Sequence, residues 1–527
     1  WLRVAQREHY LPGSITRFAR RWWSIGPNRL LGAAALLGLI GAAAKLAPAG
    51  LVAAAAVAAG PFGLTLKGRT SPLVWTRRLK ALGAVSMAIA AVFILVAFFL
   101  APSLAVAAAA ATLTAVAAPF IVDAALAITA PMERRLGARF VGRAQAKLAS
   151  VHPTVVAITG SYGKTSTKGY VAHLVEGSLS VVPTPKSYNN QSGLSRAVNE
   201  QLLPATDVFV AEMGTYGPGE IAEMCAWVRP DIAVITAIGP VHLERMGSEE
   251  AITGAKAEIL EHARVAVLNV DSPWLAPLAD AAEAAGKKVW RCSAGDRHGD
   301  VSVVDDEGSL SVFANPTGAG DDGGAGEDRG DVRRDEVDEG GALNRSGARP
   351  IAVAAGLDAP PTNVACAVAV ALELGITPEA IARRLPTLPP AAHRRQVSEG
   401  RNGATVIDDT YNANPAGAAG ALRLLGRLAV PGARRVLVTP GMVELGARQD
   451  EENARFAEQA SAVVTHLLVV GRTNAASLME GWRRVPEASR AQLIRCATRA
   501  HAVEWVSQNL SAGDVVLYEN DLPDHFP

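Results

Sequence analysis

The stretch Val155-Val156-Ala157-Ile158-Thr159-Gly160-Ser161-Tyr162-Gly163-Lys164-Thr165-Ser166-Thr167-Lys168 constrains the fold more than any other part of the chain. A short β-branched run predicts a strand, a glycine-bounded loop follows, and Gly163-Lys164-Thr165 opens a predicted helix. Loop glycines let backbone N–H groups converge on phosphate oxygens, and the helix N-terminus adds partial positive charge. Lys164 is expected to reach the β/γ-phosphates of ATP, and the Thr165 hydroxyl to sit on Mg²⁺. Gly160, Ser161, Gly163, Lys164, Thr165 and Ser166 are therefore the candidate nucleotide contacts. The longer phosphate-loop pattern would put a glycine at 158, where isoleucine stands; the shorter Thr-Gly-x-x-Gly-Lys-Thr fits at every position.

Apolar residues concentrate before residue 131, in runs at about Leu30–Ala44, Ala47–Leu66, Ala81–Leu100 and Leu104–Val122. The last three approach the roughly 20 residues a membrane-spanning helix needs. Basic residues cluster before the first run, around Lys67–Lys80, and after the last run at Arg134, Arg135, Arg139 and Arg143. Positive-inside reasoning then predicts a helical membrane domain over 1–150, of about four spans, with both ends in the cytoplasm. The expectation is a multi-pass protein of a bacterial-type inner membrane, with the lipid bilayer as a partner and its catalytic domains cytoplasmic. Formal net charge is +1 over 527 residues, so no global field points to nucleic acid. The four cysteines, Cys225, Cys292, Cys366 and Cys496, form no C-x-x-C pair, which argues against a disulfide framework or a zinc site.

From about Thr154, β-rich runs alternate with helical stretches, the signature of a mostly parallel α/β sheet. Strands are expected at Thr154–Thr159, Asp207–Glu212, Ile232–Ala237 and Val265–Asn269. Residues near 295–349 break the pattern with Gly, Asp, Glu and Arg, and most of this segment, from about 314, reads as a disordered acidic insertion. A second α/β region has expected strands at Ala404–Ile407, Arg435–Val438, His466–Val470 and Asp514–Tyr518. The boundaries expected are a central domain over 151–396 and a C-terminal domain over 397–527.

Three further features stand near expected strand ends, where open α/β sheets collect ligands. Glu212, leaving Val210-Ala211, is a plausible Mg²⁺ ligand; strand-end acids also commonly cap the next helix. His242 lies in Gly239-Pro240-Val241-His242-Leu243, as a metal ligand or a structural histidine. Lys256, in Ala255-Lys256-Ala257-Glu258, would by itself read as surface charge.

Together these stretches resemble the Mur ligases, ATP-dependent amide-forming enzymes, over about 151–527. The matching segments are 159–165, Ser187-Tyr188-Asn189-Asn190-Gln191-Ser192-Gly193-Leu194, Glu212–Ile221, Val241–Ser248, Ala255–Ile259 and Asp408–Pro415. The resemblance implies a phosphate-loop central domain and a Rossmann-like C-terminal domain, with ATP and Mg²⁺ as cofactors. It implies Thr165, Glu212, His242 and Lys256 on the metal side, Lys256 being the lysine that is often carbamylated. Lys164, Lys256 and His242 become the catalytic set. It assigns Asn363 to adenine, Arg394 or Arg395 (Arg395 in the assignment adopted) to phosphate, and Asp409, Tyr411 and Asn412 to the nucleotide from the C-terminal side. Asn189 and Asn190 would line the acceptor side.

The function implied joins an amino acid or dipeptide to the carboxylate of a cell-envelope precursor through an acyl phosphate, at the membrane. Three features depart from the family. The apolar segments occupy the place of the domain that grips the UDP-sugar. The usual Gly-Asp-Met-x-Glu-Leu-Gly stretch reads Pro440-Gly441-Met442-Val443-Glu444-Leu445-Gly446, and the usual Lys-Gly-Ser-Arg ending is replaced by Tyr518-Glu519-Asn520-Asp521-Leu522-Pro523. The alternatives are a phosphate-loop transport ATPase, opposed by the scarcity of charges in the apolar runs (Asp123 being the main one), and a catalytically inactive scaffold. Retention of Lys164, Thr165, Glu212, His242, Lys256 and Asp409 opposes the scaffold.

Overall fold

β-Branched runs that are apolar at every position need cover on both faces, and the chain supplies it in two sheets. The computed structural model describes the chain except residues 45–46, 65–72, 186–187, 296–298, 307–308, 315–349, 391–394, 412–413, 523–525 and 527. The first sheet contains β1 (Thr154–Thr159), β2 (Val181–Pro183), β3 (Val208–Glu212), β4 (Ile232–Ile235) and β5 (Val265–Asn269). It continues with β6 (Lys288–Ala294), β7 (Val301–Asp306), β8 (Ser309–Ala314) and β9 (Pro350–Ala355). Their order is β2-β3-β1-β4-β5-β6-β7-β8-β9, parallel as far as β7, with β8 and β9 antiparallel. β1 lies between β3 and β4, and the connections leaving β1 and β3 run in opposite directions along the sheet, the switch point beyond whose carboxyl ends open α/β sheets bind ligands.

Side chains of β1 alternate between two cores. Val156 and Ile158 pack with Tyr170, Val171 and Leu174 of helix Lys164–Val175 and with helix Pro361–Glu373. Val155 and Ala157 face the opposite core, with Leu194, Val198, Ile221 and Met224. The phosphate loop is thus anchored by a strand buried on both faces.

The second sheet comprises β10 (Gln396–Glu399), β11 (Thr405–Asp409), β12 (Arg435–Thr439), β13 (His466–Val470), β14 (Gln492–Cys496) and β15 (Val515–Glu519). Its order is β10-β11-β15-β12-β13-β14, with β10 antiparallel to β11 and the other pairs parallel. The register sets Asp409 beside Glu519 at the carboxyl end.

Among the described residues of the first 151 the regular elements are all helices: Leu2–Arg7, Ser14–Trp23, Gly26–Ala43, Ala47–Ala59, Arg77–Leu100, Leu104–Val116 and Ala118–Val151. Asp123, expected as a charge within an apolar run, instead caps helix Ser14–Trp23. Its carboxylate accepts from the backbone N–H groups of Gly13, Ile15 and Thr16 and from the Thr16 hydroxyl at 2.6–3.3 Å. Ala144 and Leu148, near the end of the 34-residue helix, belong to the core beneath β1 and β3. Val4, Ile15 and Phe18 form a third core with Leu79, Val122, Leu522 and Phe526, so the N-terminal helices also pack against the end of the chain.

One sequence expectation is corrected. The multi-pass inner-membrane arrangement of about four spans fails, because among the described residues one helix, Arg77–Leu100, is long and apolar enough to cross a membrane. The number rises to three only if each of two sharply bent helix pairs is taken as one span. Apolar runs measured along the sequence had included the breaks: Ala47–Ala59 and Leu104–Val116 have 13 residues each. At 1.5 Å per residue each is about 20 Å long, against a hydrocarbon core of about 30 Å. In the stretch 295–349, β7 and β8 form a hairpin on the sheet; the insertion expected from about 314 lies, over 315–349, outside the described residues.

Candidate active site

The loop after β1 is shaped by two glycines with positive φ, Gly160 at 151° and Gly163 at 86°. A Cβ on Gly160 would overlap the Thr236 hydroxyl, and one on Gly163 the Asn363 side-chain oxygen. Both positions therefore require glycine for space as well as for backbone. The Ser161 hydroxyl donates to the Gly239 carbonyl at 3.1 Å and accepts from the Gly239 N–H at 3.0 Å, tying the loop to the segment after β4. Lys164 begins its helix and folds its ammonium back on the Gly160 carbonyl at 2.6 Å. Ser166 lies one residue beyond Thr165 in the same first turn and is buried.

Glu212 ends β3, which is paired with β1, and its side chain is almost fully buried. Its carboxylate accepts from Thr165 Oγ1 at 3.1 and 3.2 Å, from Lys168 Nζ at 2.9 Å and from Asn189 Nδ2 at 3.3 Å. Asn190 turns the other way: it is the N-cap of helix Gln191–Gln201, and its side-chain oxygen accepts from the Gly193 N–H at 2.9 Å. Asn363 lies buried against Gly163.

Lys256 is 2% exposed, and among the described residues its ammonium has no carboxylate partner. Burial first, and the Lys164 charge second, hold its amine well below the usual lysine range. His242 feels both Lys256 and Lys164, which places the three in one electrostatic neighbourhood; burial pushes its imidazole below the ordinary value, opposed by Glu444. His242 Nδ1 is 2.6 Å from Glu444 Oε2, a contact between the two sheet units. Tyr216 stands edge-on to His242, with ring centroids 5.2 Å apart, and burial, then Glu444, push its hydroxyl up to about 12.

The C-terminal candidates gather at the end of β11. Asp409 accepts from the Arg395 backbone N–H at 3.2 Å, while the Arg395 guanidinium pairs with Asp358 at 3.0 Å. Glu519 is fully buried beside Asp409; burial first, then the Asp409 charge, holds its carboxyl well above the usual range. Tyr411 is half-exposed and close enough to act electrostatically on Tyr216. Asn412 and Arg394 lie outside the described residues.

Residues 158–320 match the Mur ligase middle domain and residues 393–518 the Mur ligase glutamate ligase domain. The UDP-N-acetylmuramoyl-tripeptide–D-alanyl-D-alanine ligase of Mycobacterium leprae is 33% identical over 380 residues, covering 69% of this chain and 70% of the relative. The chain belongs to the Mur ligase family. The similarly named Escherichia coli ligase is 29% identical over 330 residues, covering 60% of this chain and 64% of its own. Among solved structures, MurF from Thermotoga maritima in complex with ADP superimposes with a TM-score of 0.57 at 24% identity, over 73% of this chain and 80% of that one. A MurF structure from Acinetobacter baumannii gives 0.54 at 25% identity, over 73% and 76%.

This Mur ligase is an ATP-dependent acid–amino acid ligase whose cofactors are ATP and Mg²⁺. Membership sets aside the transport-ATPase alternative. The donor set fits Mg²⁺: the Thr165 hydroxyl and the Glu212 carboxylate are hard oxygens side by side at the loop exit. Among the described residues no three His, Cys, Asp or Glu side chains converge as a metal cage. Mg²⁺ needs none, since it takes one or two protein carboxylates and completes its shell with phosphates and water.

Several residues of the site had no role in the sequence reading. Lys168 carries a legible signal, standing one helical turn after Lys164 on the same face. Glu444, Arg245 and Glu519 come from segments that the fold, not sequence spacing, brings together. Glu8 and His9 reach the site from the helical N-terminal region: Arg245 donates to Glu8 at 3.0 Å, and His9 stacks on Tyr216.

Proposed function

We propose that this Mur ligase joins the amine of an amino acid or dipeptide to the carboxylate of a muramoyl-peptide precursor of peptidoglycan. Its relatives' names specify a UDP-linked tripeptide and D-alanyl-D-alanine, the first pair to test. The observation that carries the reading is Lys256, a buried lysine without a carboxylate partner among the described residues, set within reach of the Lys164 charge and in the same neighbourhood as His242. A neutral buried amine is open to carbamylation, which converts it into an anionic metal-side group.

In this reading residues 151–396 and 397–527 act as the nucleotide and closing units. Lys164 and the N–H groups of Gly160 and Gly163 hold the β/γ-phosphates, with Thr165 and Ser166 at the helix start, while Ser161, whose N–H donates to the Ala237 carbonyl at 2.8 Å, keeps the loop in shape. Thr165 and Glu212, with His242 and carbamylated Lys256, hold Mg²⁺, which when bound neutralises the two anions brought together. Asn363 faces adenine; Asp409, Tyr411, Asn412 and Arg395 hold the nucleotide from the C-terminal side. Asn189 orients Glu212 at the acceptor side. Asn190, whose oxygen caps a helix, contributes through its remaining amide N–H groups.

The acceptor carboxylate attacks the γ-phosphate, giving an acyl phosphate and ADP. The incoming amine attacks the acyl carbon, and phosphate leaves as the amide forms. Positioning two anions and excluding water account for most of the demand on the site. The helical region enters this scheme through Glu8, which pairs with Arg245, and His9, which stacks on Tyr216.

Detergent-free and detergent-purified protein, incubated with Mg²⁺-ATP and a matrix of muramoyl-peptides and amines, tests the proposal by mass spectrometry. An amide product that requires both partners and disappears with Lys164→Ala supports it. ADP release that ignores the amine across the matrix rejects it.

A further inference from the structure

The contact between His242 and Glu444 joins two residues that both hold left-handed backbone, with φ of 67° and 66°. Such backbone is disfavoured for a non-glycine residue, so each end is held by its surroundings. Glu444 leaves the loop after β12 in the six-stranded unit; His242 precedes the short helix Leu243–Met246 beyond β4. Both carboxylate oxygens of Glu444 are engaged. Oε2 meets His242 Nδ1 at 2.6 Å, and Oε1 accepts from Arg245 Nη2 at 3.2 Å. The same Arg245 nitrogen donates to Glu8 Oε2 at 3.0 Å, with the Glu8 side chain 4% exposed, and the guanidinium lies 4.6 Å over the Tyr216 ring. One arginine of the middle unit therefore ties Glu8 of the helical region to Glu444 of the C-terminal unit.

A carboxylate can only accept, so the hydrogen of this bond belongs to Nδ1, and Nε2 keeps its lone pair. We propose that Glu444 is a positioning residue that fixes His242 as the Nδ1–H tautomer and keeps Nε2 available to a metal, with Arg245 and Glu8 holding Glu444 in place. The relation is that of a carboxylate orienting a metal-ligating histidine from behind. It rests on the reading of His242 as a metal-side residue. It also gives the helical region a defined task, since Glu8 steadies the arginine that steadies Glu444.

The substitution E444Q separates this from a generic contact. Arg245 has donors only, so it retains the amide oxygen and turns the NH₂ towards His242 Nδ1. That nitrogen must then accept, and the proton moves to Nε2. Long-range proton–nitrogen spectra of the metal-free full chain, labelled with ¹⁵N-histidine and assigned by loss of signals in His242→Ala, report the tautomer directly. The expected results are Nδ1–H in the native protein and Nε2–H in E444Q. Mn²⁺ affinity in the presence of a non-hydrolysable ATP analogue, read by electron paramagnetic resonance, is expected to fall about ten- to a hundredfold in E444Q.

An Nε2–H tautomer in the native protein overturns the proposal without recourse to any variant. So does E444Q with native tautomer and native Mn²⁺ affinity. Native Mn²⁺ affinity in His242→Ala overturns the metal reading of His242 instead, and the two failures are told apart because the tautomer is read without metal.

Discussion

Lys168 and Glu212 form an ion pair at 2.9 Å, with side chains 6% and 2% exposed, directly beneath the phosphate loop. Replacing Lys168 by Met keeps the bulk of the chain and removes the cation. Glu212 retains Thr165 and Asn189 as neutral donors but loses its countercharge. Breaking a buried pair by removing one partner costs about 3–5 kcal/mol, chiefly because the remaining charge stays buried. The pair joins helix Lys164–Val175 to β3, so the cost falls on opening of that region. At about 1.4 kcal/mol per tenfold, hydrogen exchange of peptides covering β1 and β3 accelerates by roughly two to three and a half orders of magnitude. The double variant Lys168→Met/Glu212→Gln removes both charges and recovers most of the loss, giving a large coupling energy in the cycle. A cost under about 1 kcal/mol for Lys168→Met would refute the reasoning from a buried pair. So would a double variant that exchanges as fast as the single one.

Three further outcomes are expected. Gly163→Ala loses ADP affinity by at least tenfold in calorimetry, because φ of 86° and the overlap with Asn363 force the loop to move, with backbone strain alone of about 1–2 kcal/mol. Lys256 binds its proton more weakly in the native chain than in the unfolded one. In CO₂-depleted buffer the native protein should therefore gain stability over Lys256→Met as pH rises towards about 10, by up to about 1.4 kcal/mol per pH unit in urea melts; added ¹³C-bicarbonate should give a carbamate signal in the native protein alone. Glu519 behaves oppositely, its native proton being held more tightly. The stability it contributes is present below the unfolded carboxylate range and is lost as pH rises through the raised native value, a fall that Glu519→Gln should lack in the same melts.

How far the chain could be read from its sequence depended on where the determining interactions lie. β1, β5 and β13 fall where their continuous β-branched runs put them, since a strand buried on both faces is written in its own residues. β7, β8 and β9 escaped because their neighbourhood is rich in Gly and Asp, and because a hairpin at the sheet edge needs apolar residues on only one face. The phosphate loop and Glu212 were legible as a strand–loop–helix and a strand-end acid. Lys256 was legible only through the family resemblance, because by itself a lysine in a helical pattern reads as surface until the fold buries it. Asp123 shows the same limit, an apparent charge in an apolar run that proves to cap a helix more than 100 residues earlier. The span count failed for a related reason: hydropathy along the sequence records apolar residues but not where helices end.

The most direct test of the account is isotope transfer from the acceptor. A muramoyl-peptide carboxylate labelled with ¹⁸O is incubated with Mg²⁺-ATP, D-alanyl-D-alanine and the protein, and both products are weighed by mass spectrometry. An acyl phosphate predicts one labelled oxygen in each phosphate released, in step with one amide formed and one ADP. Unlabelled phosphate, with or without an amide, would contradict attack by the acceptor carboxylate on the γ-phosphate.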